Sequence, residues 1–222
     1  MTSPHHEPHP RPQSHAHLTT TLTTRATTRA TSRRQLILDT ATSVFAEKGI
    51  VATTVRDISE RYGIHSGSLY HHFKSKEEII AEILVPIVAS QIETFDHILS
   101  QTDDPTEILS RSIAAAVAQT AANPDVARIL QHNEFQIRDY PGLDEVVRQR
   151  RAMRQRIEHV IAEGISNGQF RPDVDPRVAS MVFFDGVLGA YRHLKPFGDY
   201  NAEELTRQLT ALTLQGLCLV EG

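Results

Sequence analysis

Residues 53–76 read TTVRDISERYGIHSGSLYHHFKSK, and the fold turns on this stretch. Thr54 is a capping residue with Asp57 three positions on, the spacing of a capping box. Val55, Ile58 and Tyr62 follow at helical spacing and predict an inward face. Gly63 supplies the permissive backbone that a tight turn requires. Ile64, Leu69 and Phe73 then set a second apolar stripe against the first. Two short amphipathic helices joined this way form a helix-turn-helix. The second helix leaves Ser66, Gly67, Ser68, Tyr70, His71, His72 and Lys74 pointing outward. Such a helix fits the DNA major groove and presents its first residues to base edges.

Working outward, charge separates the chain. The net charge is −4 over 222 residues. Residues 1–80 hold ten Lys/Arg and seven Asp/Glu, whereas residues 81–222 hold thirteen and twenty. The asymmetry places any nucleic-acid contact in the N-terminal part. Hydrophobic residues make up 40% of the chain, enough for a real core. The one cysteine, Cys218, reads as a buried structural thiol. No apolar run is long enough to span a membrane and no signal peptide is evident, which predicts a cytoplasmic protein with no membrane partner.

Residues 1–30 are rich in Thr, His, Pro and Arg with few apolar residues, so a disordered N-terminal arm is expected. Arg25, Arg29, Arg33 and Arg34 fit either a solvated tail or an arm along the DNA backbone or minor groove. The early histidines are irregularly spaced and lack cysteine partners, so no metal site and no cofactor are predicted. From Ser32 onward the chain reads as helix. Ser32 with Gln35, Ser75 with Glu78 and Asn201 with Glu204 mark helix starts. Asp104-Pro105, Asn123-Pro124 and Asp175-Pro176 place a capping residue before a proline. These signals predict nine helices near 32–48, 54–61, 65–72, 75–100, 105–121, 124–132, 141–167, 176–194 and 202–219. Pro86 should bend the fourth.

The run from Leu36 to Ile80, with AEKGIVATTVRDIS at 46–59 and GSLYHHFKSKEE at 67–78, closely resembles the N-terminal domain of the TetR family of bacterial transcriptional regulators. About a fifth of the chain carries this match. The resemblance implies an all-α protein. Residues 31–76 would be a three-helix DNA-binding domain, and 77–222 a six-helix ligand-binding and dimerisation bundle. It also implies phosphate contacts from Tyr70 and Lys76, double-stranded operator DNA as partner, and a homodimer paired through the last two helices. From the residues themselves, Thr54 offers a hydroxyl at a helix N-terminus. Arg56 is the strongest candidate for a bidentate guanine or phosphate contact. Ser66, Gly67 and Ser68 permit close approach, and Tyr70, His71 and Lys74 lie beside them. Two positions depart from the family pattern. His65 stands where Ser or Thr is common, and Gly67 where Lys, Arg or Pro is common, so the helix is less well capped and less positive.

Helix 176–194 carries Val178, Met181, Val182, Val187, Leu188, Tyr191 and Leu194, with Gly186 and Ala190 four apart. Helix 202–219 carries Leu205, Leu209, Leu212 and Leu217, with Gly216 beside them. Both are expected to pair with a second subunit or to pack internally. Phe95, Leu99, Leu130, Phe135, Met153, Ile157 and Phe184 are candidates for a ligand-pocket wall or plain core. The run RQRRAMRQR at 148–156 holds five arginines, either a solvated helix face or a grip on an anionic ligand. The segments GQFRPDVD and YRHLKP resemble actinobacterial regulators of fatty-acid and steroid catabolism that sense acyl-CoA thioesters. Arg192 would then meet a pyrophosphate or carboxylate. A regulator of an efflux pump sensing lipophilic drugs is the alternative effector reading. An enzyme is disfavoured, because no Ser/His/Asp set, HExxH or phosphate loop is present.

Overall fold

Ser32 begins the regular structure by accepting a hydrogen bond from the Gln35 amide at 3.2 Å. The computed structural model describes residues 32–195 and 198–218, and of Glu134 and Phe135 the backbone alone. The arm at residues 1–30, with Arg25, Arg29 and the early histidines, lies outside them. Ten α-helices stand among the described residues, and no strand beyond two isolated bridges, Phe170 with Cys218 and Leu194 with Tyr200. Cys218 caps the last helix and is half-buried.

Helices α1 (Arg33–Lys48), α2 (Val55–Tyr62) and α3 (Ser66–Tyr70) form the N-terminal trio. The capping box of α2 is complete. Thr54 Oγ1 accepts from the Asp57 amide at 3.1 Å, and Asp57 accepts from the Thr54 amide at 2.7 Å. The box expected at α1 is half made, because Gln35 reaches forward to Asp39 at 2.9 Å instead of back to Ser32. Gly63 ends α2 in the left-handed region at φ 82°, where a side chain would be strained. Helix α3 is shorter than expected, since its C-terminal residues His71 and His72 leave the helix before Phe73.

Helix α4 (Lys76–Leu99) runs without interruption through the exposed Pro86. It is followed by α5 (Pro105–Ala122) and α6 (Pro124–His132). Asp104 caps α5 as expected, with its carboxylate accepting from Thr106 at 3.1 Å. Asn123 makes no such bond to α6; its amide donates to Gln119 O at the end of α5. An extra short helix, α7 (Glu134–Arg138), raises the expected count by one, and α8 (Asp144–Ser166) starts later than predicted. Helix α9 (Pro176–Gly189) tightens into a 3-10 turn at Ala190–Arg192, and α10 (Ala202–Leu217) closes the described chain.

Two apolar cores organise these helices. The first gathers Phe45, Ile58, Leu69, Phe73 and Ile80 with Val126, Ile129 and Leu130 of α6, Ile137 of α7 and Val146 of α8. The second joins Phe95 and Ile98 of α4 to α5, α8, α9 and α10. The reader trio therefore shares its core with α6, α7 and the start of α8. Large-to-small changes at such sites cost about 2–5 kcal/mol.

Candidate nucleic-acid interface and ligand cavity

Helix α3 is fixed by Leu69 and Phe73, each about 1% exposed, which turn its remaining residues to the surface. Gly67, Tyr70, His71 and Lys74 are exposed, with Tyr70 at 55%. Ser68 is half-buried. Ser66 is placed differently from the expectation. Its hydroxyl lies 2.8 Å from that of Ser59, which is buried on α2 and donates to Arg56 O at 3.0 Å. Ser66 thus ties α3 to α2. Its partner Ser59 was not among the sequence candidates, because a buried serine leaves no pattern in a helical stripe. His65 caps α3 without a side-chain hydrogen bond, in keeping with the departure noted above.

Exposed ion pairs surround the reader. Arg56 bonds Glu60 at 2.6 Å, Arg61 bonds Glu47, and Lys48 pairs with Asp57. Lys48 and then Thr54 hold the Asp57 carboxyl well below the usual carboxylate range. Pairs this open to water contribute little, so Arg56 can exchange Glu60 for a phosphate or base at small cost. Lys76 is engaged within the fold. Its ammonium donates to Ile50 O at 3.0 Å and Thr53 O at 2.8 Å, fixing the α1–α2 turn. Two of its three donors are thereby used. Arg34 is likewise committed. It pairs with Glu82, lies 3.8 Å from Glu78 and stacks on Phe73 at 4.3 Å, joining α1 to α4.

A cavity of about 850 Å³ opens between α4, α6, α7, α8 and α9. Leu130, Met153 and Phe184 line it, and so do Arg138, Arg150, Arg151, Arg154 and Arg177. Glu158 is the single acid among its lining residues. The 148–156 run therefore divides. Arg148 and Arg156 pair with Glu145 and Asp96, while the other three face the cavity. Behind the cavity lies a smaller chamber of about 80 Å³ that includes Phe95, Met153, Ile157, Phe183 and Phe184. Met153, Phe184, Gln91 and Leu188 belong to both walls. The Arg154 guanidinium sits 5.7 Å from the Phe184 ring, at the junction.

Two expected ligand residues stand elsewhere. Leu99 borders a separate surface groove with Ile108 and Val160. Arg192 is exposed beside Gly189 and Gln131 and lines neither space. The side chain of Phe135 lies outside the described residues. Arg138 and Arg177 had no sequence signal, since they come from helices far apart in the chain. Among the described residues no group of three or more His, Cys, Asp or Glu is placed to hold a metal ion. No described helix is long and apolar enough to cross a membrane.

An exposed helix-turn-helix carried on a helical body is the build of a DNA-binding transcriptional regulator. Residues 37–83 match the model of bacterial regulatory proteins of the tetR family, and 102–217 match the tetracyclin repressor-like C-terminal domain. The chain belongs to the TetR family, and is a regulator rather than an enzyme. It is 33% identical to the HTH-type transcriptional repressor KstR2 of Mycolicibacterium smegmatis, over 86% of this chain and 93% of that one. The structure of the ketosteroid transcriptional regulator KstR2 of Mycobacterium tuberculosis superposes with a TM-score of 0.78 at 32% identity, covering 85% and 96% of the two chains. The same fold occurs in AibR, solved in complex with isovaleryl coenzyme A and operator DNA, with a TM-score of 0.65, 21% identity and 82% and 97% coverage.

Proposed function

We propose that this protein is a dimeric repressor released from its operator by an acyl-CoA thioester. The carrying observation is the cavity. Five arginines and one glutamate line a space that adjoins an aromatic and aliphatic chamber. Arginine forks match phosphate oxygens, and the mainly apolar chamber of about 80 Å³ suits the end of an acyl group. A ligand with several negative charges at one end and a hydrocarbon at the other suits both. The KstR2 of Mycobacterium tuberculosis, described as a ketosteroid transcriptional regulator, supports a thioester of lipid or steroid breakdown, and so does AibR, of the same fold and solved with isovaleryl coenzyme A. A neutral or cationic lipophilic drug would make no use of the positive charge these arginines bring to the wall.

In this reading residues 31–76 read DNA through Thr54, Arg56, Gly67, Ser68, Tyr70, His71 and Lys74. Ser66 and Lys76 hold that surface in shape. Residues 77–222 sense the ligand and pair the subunits. Val178 and Val182 lie one turn apart on α9, and they and Leu212 of α10 are 55–70% exposed, whereas Met181 lines the cavity. Such an apolar face calls for a partner. Val187, Tyr191, Leu194, Leu205 and Leu217 are buried within the subunit, as is Ala190, so the Gly186–Ala190 pair does not form the contact. Two readers roughly 34–36 Å apart would then meet successive major-groove turns.

The test is fluorescence anisotropy of the full chain on DNA from its own promoter region, at fixed salt, with a panel of acyl-CoAs. Release by a member of the panel is expected. Tight binding that no thioester alters would refute the effector class, and absence of specific binding would remove the operator assignment.

A further inference from the structure

Asn133 joins α6 to α7 and is 5% exposed. Every polar group it has is used. Its Oδ1 accepts from the Ile50 amide at 3.0 Å, and its Nδ2 donates to Ile129 O at 2.9 Å. Its backbone amide also donates to Ile129 O, and its carbonyl accepts from Ile137 at 2.7 Å. Ile50 belongs to the turn that leads into Thr54 and α2. The same turn receives the Lys76 ammonium through Ile50 O and Thr53 O. Gly49 lies under the contact, where an added Cβ would come within 3.3 Å of Asn133 Oδ1. The approach of Asn133 to the reader is therefore close and direct.

The other end of this connection is the ligand cavity. Leu130 and Ile137, on either side of Asn133, both line it. Arg150, also in its wall, donates from Nη1 to Leu130 O at 3.2 Å, holding the last turn of α6. A phosphate or carboxylate in the cavity attracts that guanidinium through its charge, and drawing it further into the cavity lengthens its bond to Leu130 O.

We propose that Asn133 is a positioning residue that reports the state of the cavity to the DNA reader, with Arg150 holding the α6 turn on one side and Asn133 holding the Ile50 amide on the other. Withdrawal of Arg150 loosens the Leu130–Asn133 turn, Asn133 lets go of Ile50, and the α1–α2 turn relaxes beneath Thr54. The anionic trigger rests on the thioester reading above; the connection from Arg150 to Ile50 does not.

Hydrogen exchange of the ligand-free full chain tests the connection without an operator or effector. Asn133→Ala should speed exchange of the 50–53 segment roughly fivefold, the loss of about one hydrogen bond. Arg150→Met should speed the same segment, although Arg150 itself bonds on α6. The double variant should exchange no faster there than Asn133→Ala alone. Arg151→Met, a neighbour on the same cavity wall, should leave the segment at the wild-type rate. If Arg150→Met leaves residues 50–53 unchanged, or Arg151→Met matches it, the proposal is overturned. General unfolding of Asn133→Ala would show as faster exchange throughout Ile37–Phe45, and Arg150→Met then decides alone. Absence of any thioester binding would sink the effector reading while leaving these exchange results standing.

Discussion

Gly67 stands on the outward side of α3, where an added Cβ would meet nothing within 4 Å. The fold itself does not require glycine there. Gly67→Ala should leave the thermal midpoint unchanged or raise stability by up to about 1 kcal/mol, because glycine is the poorer helix residue. Operator affinity should fall if the α3 backbone seats against DNA. Unchanged affinity in an anisotropy titration would place the close approach elsewhere. His65 offers the converse case, since it caps α3 with no side-chain bond. His65→Ser should stabilise the protein by about 1 kcal/mol in a denaturant titration. At Arg56 the exposed pair with Glu60 keeps the guanidinium near the reader without burying it. Arg56→Ala should weaken operator binding roughly tenfold with little change in melting temperature. Retention of affinity within about twofold would remove Arg56 from the interface.

At the scale of elements, α4 connects reader and body, and its first turn is held on two sides. Lys76 ties it to the α1–α2 turn, and Tyr140 donates to Glu77 at 3.2 Å. Burial, and then the Glu77 charge, push the Tyr140 hydroxyl up to about 12. The folded value lies above the ordinary tyrosine value of about 10, so this contact is fully present below pH of about 10. It is lost as pH rises toward about 12. Stability of the wild type relative to Tyr140→Phe should therefore shrink across that window in paired melts. The Glu77 carboxyl is held below the usual range, first by its own backbone amide at the helix start and then by Ser75. Its contribution is complete above the ordinary carboxylate range and disappears as pH falls through its lowered value.

At the scale of the whole molecule, the exposed residues of α9 and α10 are the test of assembly. Val182 is 66% exposed and Leu212 70%. Val182→Asp puts a charge on that face with no core contact to lose, so the monomer should stay folded. Light scattering should show a subunit of half the mass, with operator binding reduced because two half-sites are no longer engaged together. A folded variant that remains dimeric would place the interface elsewhere.

The all-α class, the two-helix reader and most helix starts were legible in the sequence, because capping and periodicity are local. Thr54 with Asp57, Gly63, and the inward Leu69 and Phe73 act over three to five residues, and the chain shows them directly. Side-chain partners from distant helices were not legible. Periodicity places Lys76 at a helix start but cannot say that its ammonium turns to Ile50 and Thr53. Composition shows five arginines in one run but not that three face a cavity with Arg138 and Arg177. Apolar spacing marks α9 as two-faced without saying which face is buried. The sequence by itself determined most of the helices and the class of reader. Only the tertiary structure decided which polar groups are exposed on the reader, which face the cavity and which hold the frame, because burial and long-range hydrogen bonds depend on elements the local pattern cannot bring together.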